Sequence, residues 1–379
     1  MKVLLFGASS VIHTRRYIHL LHLINQEVVL VDHGGVECAS PGVRHLRYPR
    51  RFTRLRRLIG DRLVDRVNER QLKMIWCRER PAICHVQWFD ERVSRCVRAG
   101  LRPLVATAWG SDLNLAVSLP AGDPQRKAVC EALAQVDLLI VDSDDMVDTA
   151  ALLAGREVSS VNIAIGIDAD KFCRDESSRV KWRNVLAIGP DAPVVISVRT
   201  IDEKYRQVEI VRAFKDLLSR FPDAVLVIRM YGDVCREYLG RVIAEADLLG
   251  IVNSIRWVGE TTYEDLPGLL SIADVAVNYP RMDAFPVSFI ECCSVEMPIV
   301  SNRLSPYSKS VLAEFITFCE GESVQELSGA ISTAIEKKSV LRMRAQAARQ
   351  RVVCQFHERA CATKLLAAYN VVTARYCPQ

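Results

Sequence analysis

Two short stretches of the chain carry residue types that could do chemistry together. In VISVRTIDEKYRQVEIVRAF, Arg199 follows an apolar run and Lys204 comes five positions later, ahead of a helical pattern. Two cations in one strand-to-helix loop suit a diphosphate, because they neutralise the charge that builds on a phosphate leaving group as its bond to carbon breaks. Such a clamp needs no metal. The bland alternative is a pair of solvated loop cations. In DVAVNYPRMDAFPVSFIECCSVEMPIV, an apolar run ends at Tyr279, a loop carries Asp283, and Pro286 is placed to open a helix. Proline is favoured in a first helical turn, where its missing N–H costs nothing. The N–H groups of Val287 and Ser288 then lack intrahelical partners, and with the helix dipole they suit a phosphate or a polar sugar. Asp283 and Glu291 lie eight positions apart, one before the helix and one inside it. A carboxylate accepts two hydroxyl hydrogen bonds well, so these acids suit a ribose diol and a hexose edge.

Strands and helices must hold these groups in place. KVLLFG reads as a buried first strand, followed by the loop Ala8-Ser9-Ser10, a helix from about His13 to Asn25, and a second strand over Glu27–Val31. IGDRLVDRVNERQLKMIWCRE carries Leu63, Val67, Leu72, Ile75 and Trp76 at helical spacing. ICHVQW, LVATAW and LLIVDS are short strands ending in polar or aromatic residues. In open α/β sheets, ligands bind at that carboxyl edge. A second strand–helix series begins near Pro193 with VVISV, a helix over Val208–Arg220, and the strands AVLVIRMYG, IRWVG, DVAVNY and IVSN. A last helix is predicted from about His357 to Arg375. The expected fold class is α/β, with two Rossmann-like lobes facing each other across a cleft. They join near IAIGIDADKF, where Gly166, Asp168 and Asp170 interrupt any helical period. The predicted bounds are 1–167, 168–355 and a C-terminal helix, 356–379, that returns to the N-terminal lobe.

Composition fits this division. A chain of 379 residues, half of them apolar, exceeds one ordinary core and suits two domains of roughly 150–200 residues. The apolar N-terminus is short and runs into Arg15 and Arg16 without a cleavage site, so it reads as a strand rather than a signal peptide. No apolar run reaches the roughly 20 residues a bilayer span requires. The thirteen cysteines show no CxxC pair and no zinc spacing, which predicts reduced thiols in a cytoplasmic protein and no metal site. The loop after the first strand, GASSVI, lacks the glycine spacing of a dinucleotide site, which argues against a dehydrogenase or epimerase. Net charge is +5, yet Arg44–Arg80 holds thirteen Lys/Arg against four acids. Two readings of this stretch stay open: a solvated helix face, or a patch lying on an anionic membrane surface at about 1 kcal/mol per basic residue. No motif supports nucleic-acid binding.

TAWGSD, AIGIDADKF, the Arg199–Lys204 pair, RMYGD, IRWVGE and MDAFPVSFIE occur in that order through nearly the whole chain. The set resembles retaining GT-B glycosyltransferases, glycosyltransferase family four in particular, of the type that builds bacterial cell-surface glycans. In this resemblance Asp283 and Glu291 stand as the family's paired acids with seven residues between them. The resemblance implies an acceptor-binding N-terminal lobe and a donor-binding C-terminal lobe. Arg199 and Lys204 would bind the diphosphate of a UDP- or GDP-linked sugar, Glu291 the ribose, and Asp283 would lie near the transferred sugar. The backbone around Phe285, Val287 and Ser288 would hold sugar and phosphates, Gly232 would border the nucleotide, and Ser9 and Ser10 would face the diphosphate. Transfer would go to a hydroxyl of a glycan or a polyprenyl- or lipid-linked acceptor, with retention and without a cofactor or divalent ion. A two-lobed binder of the same ligands that catalyses nothing is the alternative.

The sequence departs from the family at several positions. Trp109 stands where many members have histidine, Asp283 is shorter than the usual glutamate, Ile165 replaces an asparagine, and Glu296 sits where glycine is common. His13, Arg16, Trp109 and Asp112 are candidate acceptor contacts. For each a structural reading stays open beside the functional one: a helix-start histidine, a solvated arginine, a packed indole, a satisfied acid.

Overall fold

The computed structural model describes residues 1–34, 42–48 and 60–376, apart from the side chains of residues 61, 62 and 111. The chain folds as two units: Met1–Gly166 with Glu358–Gln379, and Ile167–His357.

The first unit is built on a seven-stranded parallel sheet in the order β3-β2-β1-β4-β5-β6-β7. The strands are β1 (Lys2–Gly7), β2 (Glu27–Asp32), β3 (Val43–Arg47), β4 (Ile83–Gln87), β5 (Leu104–Thr107), β6 (Leu138–Val141) and β7 (Ser160–Asn162). The apolar runs form strands because a parallel sheet covered by helices on both faces buries every side chain. Val3, Leu4, Leu5 and Phe6 of β1 are all fully buried. β3 lies inside the basic stretch, where no strand is expected, and its Arg44 pairs with Glu79 at 3.2 Å. Arg50, Arg51, Arg54, Arg56 and Arg57, the centre of that stretch, lie outside the described residues.

The second unit has a six-stranded parallel sheet in the order β10-β9-β8-β11-β12-β13. Its strands are β8 (Val194–Ser197), β9 (Val225–Arg229), β10 (Ile255–Val258), β11 (Val275–Asn278), β12 (Ile299–Ser301) and β13 (Ile316–Phe318). The helix after β11 spans Val287–Ser294, with Pro286 at the N-cap in extended geometry (φ −82°, ψ 135°) rather than inside the first turn. The expectation that Pro286 opens the helix is thus off by one residue.

The helix Lys338–Phe356 ends where His357 turns extended (φ −61°, ψ 136°), and the last helix runs Glu358–Ala374. At this break the Ile167 N–H donates to the Phe356 carbonyl at 3.0 Å. Gly166 passes so close to the last helix that a Cβ there would stand 2.6 Å from Glu358 Cα. Among the described residues, no helix is long and apolar enough to cross a membrane, and no disulfide joins the described cysteines.

Candidate active site

The carboxyl edge of the second sheet gathers the predicted donor residues. Just past β8, Arg199 reaches Asp283, which the loop after β11 carries. Nη1 donates to Oδ2 at 2.7 Å and Nη2 to Oδ1 at 3.3 Å. Nη2 also donates to the Tyr205 hydroxyl at 2.6 Å. Tyr307 donates its hydroxyl to Asp283 Oδ2 at 2.7 Å and accepts from Asn278 Nδ2 at 2.9 Å. The Ala284 N–H donates to Oδ1 at 3.1 Å. A carboxylate offers about four lone-pair positions, and here each has a donor. In this arrangement Asp283 has no lone pair left for a hexose hydroxyl. Its carboxylate is committed to fixing Arg199.

The electrostatics match. Burial works against the Arg199 cation, but Asp283 first, then Tyr205, Tyr231 and Tyr307, together outweigh it and raise the guanidinium pKa above its ordinary value. Tyr307 is pushed well up, first by burial and then by the charge of Asp283, so its hydroxyl keeps its proton and acts as a donor.

Lys204 lies in a short turn, Glu203–Tyr205, whose N-cap Asp202 accepts the Lys204 N–H at 3.0 Å. The side chain is exposed. Its Nζ stands 4.9 Å from the Tyr205 ring centroid, and the Arg199 guanidinium carbon stands 4.2 Å from the same centroid. The two cations therefore share one aromatic ring, a geometry in which the ring quadrupole attracts each of them. The Arg281 N–H donates to the Lys204 carbonyl at 2.8 Å, tying the Asp283 loop to this turn.

Glu291, the fifth residue of the helix Val287–Ser294, is 7% exposed. Val287 is half-buried, and Ser288 Oγ is buried with no hydrogen-bond partner among the described residues. The Phe285 ring is packed inside, 6.0 Å from Phe356 and 6.1 Å from Phe289, so only its backbone could meet a ligand. Gly232 adopts φ +59° in the turn after β9, a conformation glycine takes at no steric cost.

In the first unit, the buried Ser9 donates its N–H to Asp32 Oδ2 at 3.3 Å, whereas Ser10 is exposed. His13 stacks on Trp109 with centroids 4.6 Å apart and planes 18° apart. Trp88 lies 5.7 Å from His13 and 6.1 Å from Trp109, and Tyr17 meets Trp109 edge-on at 5.8 Å. Trp109 is thus packed on one face, and its Nε1 is buried without a hydrogen-bond partner among the described residues. Trp88 sits at φ +81°, a left-handed backbone that costs a non-glycine residue on the order of 1–3 kcal/mol. Arg16 is half-buried on the same helix as His13. Asp112 accepts the backbone N–H groups of Phe89, Trp109 and Leu113 at 3.0–3.1 Å. Burial raises its pKa against those bonds. Its carboxylate pins the turns that carry the tryptophans.

Sequence reasoning missed Tyr205, Tyr231, Asn278, Tyr307, Trp88 and Arg229. Tyr205 had a faint signal, since it directly follows Lys204; Tyr307 had none, lying 24 positions beyond the acid it serves. Elsewhere in the second unit, Asp168, Asp170 and His357 place ligand atoms within 4.8 Å of one another, and Asp168 is already held by Lys171 at 3.1 Å.

Two α/β units, each built on a parallel sheet, are the parts of which a GT-B fold is made. Residues 178–351 match the model of the family Glycosyl transferases group 1. The chain is 22% identical over 303 residues to the GDP-mannose-dependent alpha-(1-6)-phosphatidylinositol monomannoside mannosyltransferase of Mycolicibacterium smegmatis, covering 78% of this chain and 75% of that one. In structure it is similar to Anabaena HepE in complex with UDP, with a TM-score of 0.77 at 14% identity over 98% of this chain and 100% of that one. It is also similar to sucrose-phosphate synthase from Thermosynechococcus elongatus, with a TM-score of 0.79 at 16% identity over 99% and 100% of the two chains. This chain is a glycosyltransferase of the GT-B fold.

Proposed function

We propose that the chain moves a sugar from a UDP- or GDP-linked donor to a hydroxyl of a glycan or lipid-linked acceptor, with retention and without a metal. The observation that carries this reading is the Arg199–Asp283–Tyr307 network, set beside Lys204 and ahead of the helix Val287–Ser294. It supplies fixed positive charge where a diphosphate would leave. In the proposed reaction the bond from the anomeric carbon to the phosphate oxygen breaks and a bond to the acceptor oxygen forms on the same face. The departing phosphate takes the acceptor's proton. Arg199 and Lys204 stabilise the leaving charge, Asp283 orients Arg199, and Glu291 takes the ribose. Ser288, the backbone at Phe285 and Val287, the Gly232 turn, Ser9 and Ser10 are assigned to the donor. His13, Arg16, Trp109 and Asp112 are assigned to the acceptor side, with Asp112 acting through the turns it holds.

The relatives lend support for the donor and acceptor classes. The mycobacterial relative is named for GDP-mannose and for phosphatidylinositol monomannoside, and HepE is solved with UDP and glucose. The test is turnover of UDP- and GDP-sugars by the full chain with lipid and glycan acceptors, read as acceptor-dependent release of nucleoside diphosphate. Nucleotide binding with no release under any acceptor would mean a silent binder. NMR of the anomeric proton decides retention. We further propose a cytoplasmic enzyme whose Arg44–Arg80 stretch binds an anionic membrane surface. Anionic liposomes should pellet the wild type but not a variant with Arg50, Arg51, Arg54, Arg56 and Arg57 neutralised, and equal pelleting would end this idea.

A further inference from the structure

Arg229 ends β9, a strand otherwise made of Val225, Leu226, Val227 and Ile228. It is 6% exposed. Its Nε is buried with no hydrogen-bond partner among the described residues, and its guanidinium carbon lies 4.6 Å from the Tyr231 ring centroid. A charged group taken out of water needs a partner to offset the loss of hydration. A site that holds such a group under-satisfied is one that a ligand completes.

The surroundings indicate which part of a ligand would arrive there. Register places Arg229 beside Val258 of β10. Tyr231 donates its hydroxyl to the Val198 carbonyl at 3.3 Å and feels the charges of Arg199, Arg229 and Glu291. Cys292, next to Glu291, feels Arg229 as well. The groups follow strand order: the sheet runs β11, β8, β9, β10, and its carboxyl edge presents the Asp283 loop, then Arg199, then Arg229. Neighbouring strands are about 4.8 Å apart. Tyr231 and Cys292 each feel both Arg229 and Glu291, so a donor with its diphosphate at Arg199 and its ribose at Glu291 brings its base beside Arg229.

We infer, on the basis of the donor-site reading above, that Arg229 reads the nucleobase and selects guanine. With Nε enclosed, the terminal amino groups of the guanidinium fork remain for the ligand. An arginine fork pairs with two acceptors on one base edge, which guanine offers at O6 and N7, whereas the corresponding edge of a thymine-type pyrimidine offers O4 alone.

Isothermal titration of the full chain with GDP, UDP and 7-deaza-GDP tests this. GDP should bind at least about tenfold tighter than UDP. Removing N7 should weaken binding about five- to hundredfold. Arg229→Gln should bring GDP and UDP close together. UDP binding as tightly as GDP, 7-deaza-GDP matching GDP, or an R229Q protein that keeps the wild-type ratio would each overturn the assignment while leaving the donor site in place. Failure of both nucleotides to bind would overturn the donor-site reading and this inference with it. The 7-deaza arm uses unaltered protein, so it decides even if the variant does not fold.

Discussion

Arg199 and Asp283 stand 84 positions apart in the chain and meet as a two-pronged ion pair at 2.7 and 3.3 Å. Their side chains are 14% and 13% exposed. The acid cancels part of the charge that Arg199 carries, but it also fixes the direction of the guanidinium. Lys204, exposed and mobile by its nature as a four-carbon amine, supplies charge that no carboxylate in this network cancels.

Asp283→Ala removes the counter-charge of Arg199 and the acceptor of Tyr307 together. Breaking a buried pair from one side costs about 3–5 kcal/mol, and the residual exposure of this pair brings the expectation to about 2–3 kcal/mol. Thermal melts should fall by several degrees. Tyr307→Phe should cost less, about 1–2 kcal/mol. A melt of Asp283→Ala that overlays the wild type would show that the pair contributes nothing.

Lys204→Ala should cut donor-dependent turnover about ten- to hundredfold, since a charged hydrogen bond contributes roughly 1.5–3 kcal/mol. The melting temperature should stay put, because the side chain is exposed. Unaltered turnover would move the diphosphate away from this turn.

In the proposed reaction fixed cations rather than a divalent ion face the leaving group, so chelation should leave turnover within about twofold of the untreated enzyme. The group formed by Asp168, Asp170 and His357 gives this prediction its edge: a large loss on chelation, restored by added cation, would assign that group or another a metal role.

The candidate site is partly legible in the sequence, and the rest is hidden for a common cause. The strands were legible because a doubly covered parallel sheet writes continuous apolar runs, as in VLLF and VVLV. Arg199, Lys204, Asp283 and Glu291 stand out as candidates because each belongs to a loop or helix that follows such a run. Their partnership does not: the sequence suits Arg199 to a phosphate and Asp283 to a sugar, and nothing local reports that two loop residues turn toward each other. Tyr307 and Arg229 escaped for the same reason. Pro286 was misplaced by one position because helix ends are set by backbone geometry, and its ψ of 135° lies outside the helical range.

Gly166→Ala puts a methyl 2.6 Å from Glu358 Cα and 3.1 Å from Cys361 Sγ. Backbone cannot yield as a flexible side chain would, so overpacking of about 1–3 kcal/mol is expected. Denaturant unfolding followed in the full chain would register it as a lower midpoint; an unshifted midpoint would mean the last helix slides aside at no cost.

His85 sets an acid limit on the first unit. It is fully buried, with Nδ1 2.6 Å from the Tyr369 hydroxyl and Nε2 2.7 Å from Thr107 Oγ1. Burial pushes the imidazole down to about 3 from its ordinary 6.5. Below pH 6.5 the unfolded chain takes up a proton that the folded chain refuses. Stability is therefore full above about 6.5 and declines as pH falls toward 3, by up to about 1.4 kcal/mol per pH unit. His85→Gln should flatten this slope in urea melts across that range; an identical slope would place the acid sensitivity elsewhere.

The pairing of His85 with Tyr369 also bears on how the protein comes to be made. Tyr369 and its neighbours Leu365 and Ala362 fill the interior of a unit whose other 166 residues are translated first. A ribosome delivering residues at its usual pace releases that unit with a hole in its wall, and the second unit is completed before the plug arrives. The order of synthesis and the order of closure run opposite ways, so the N-terminal half of a nascent chain waits on the C-terminal end for its last wall.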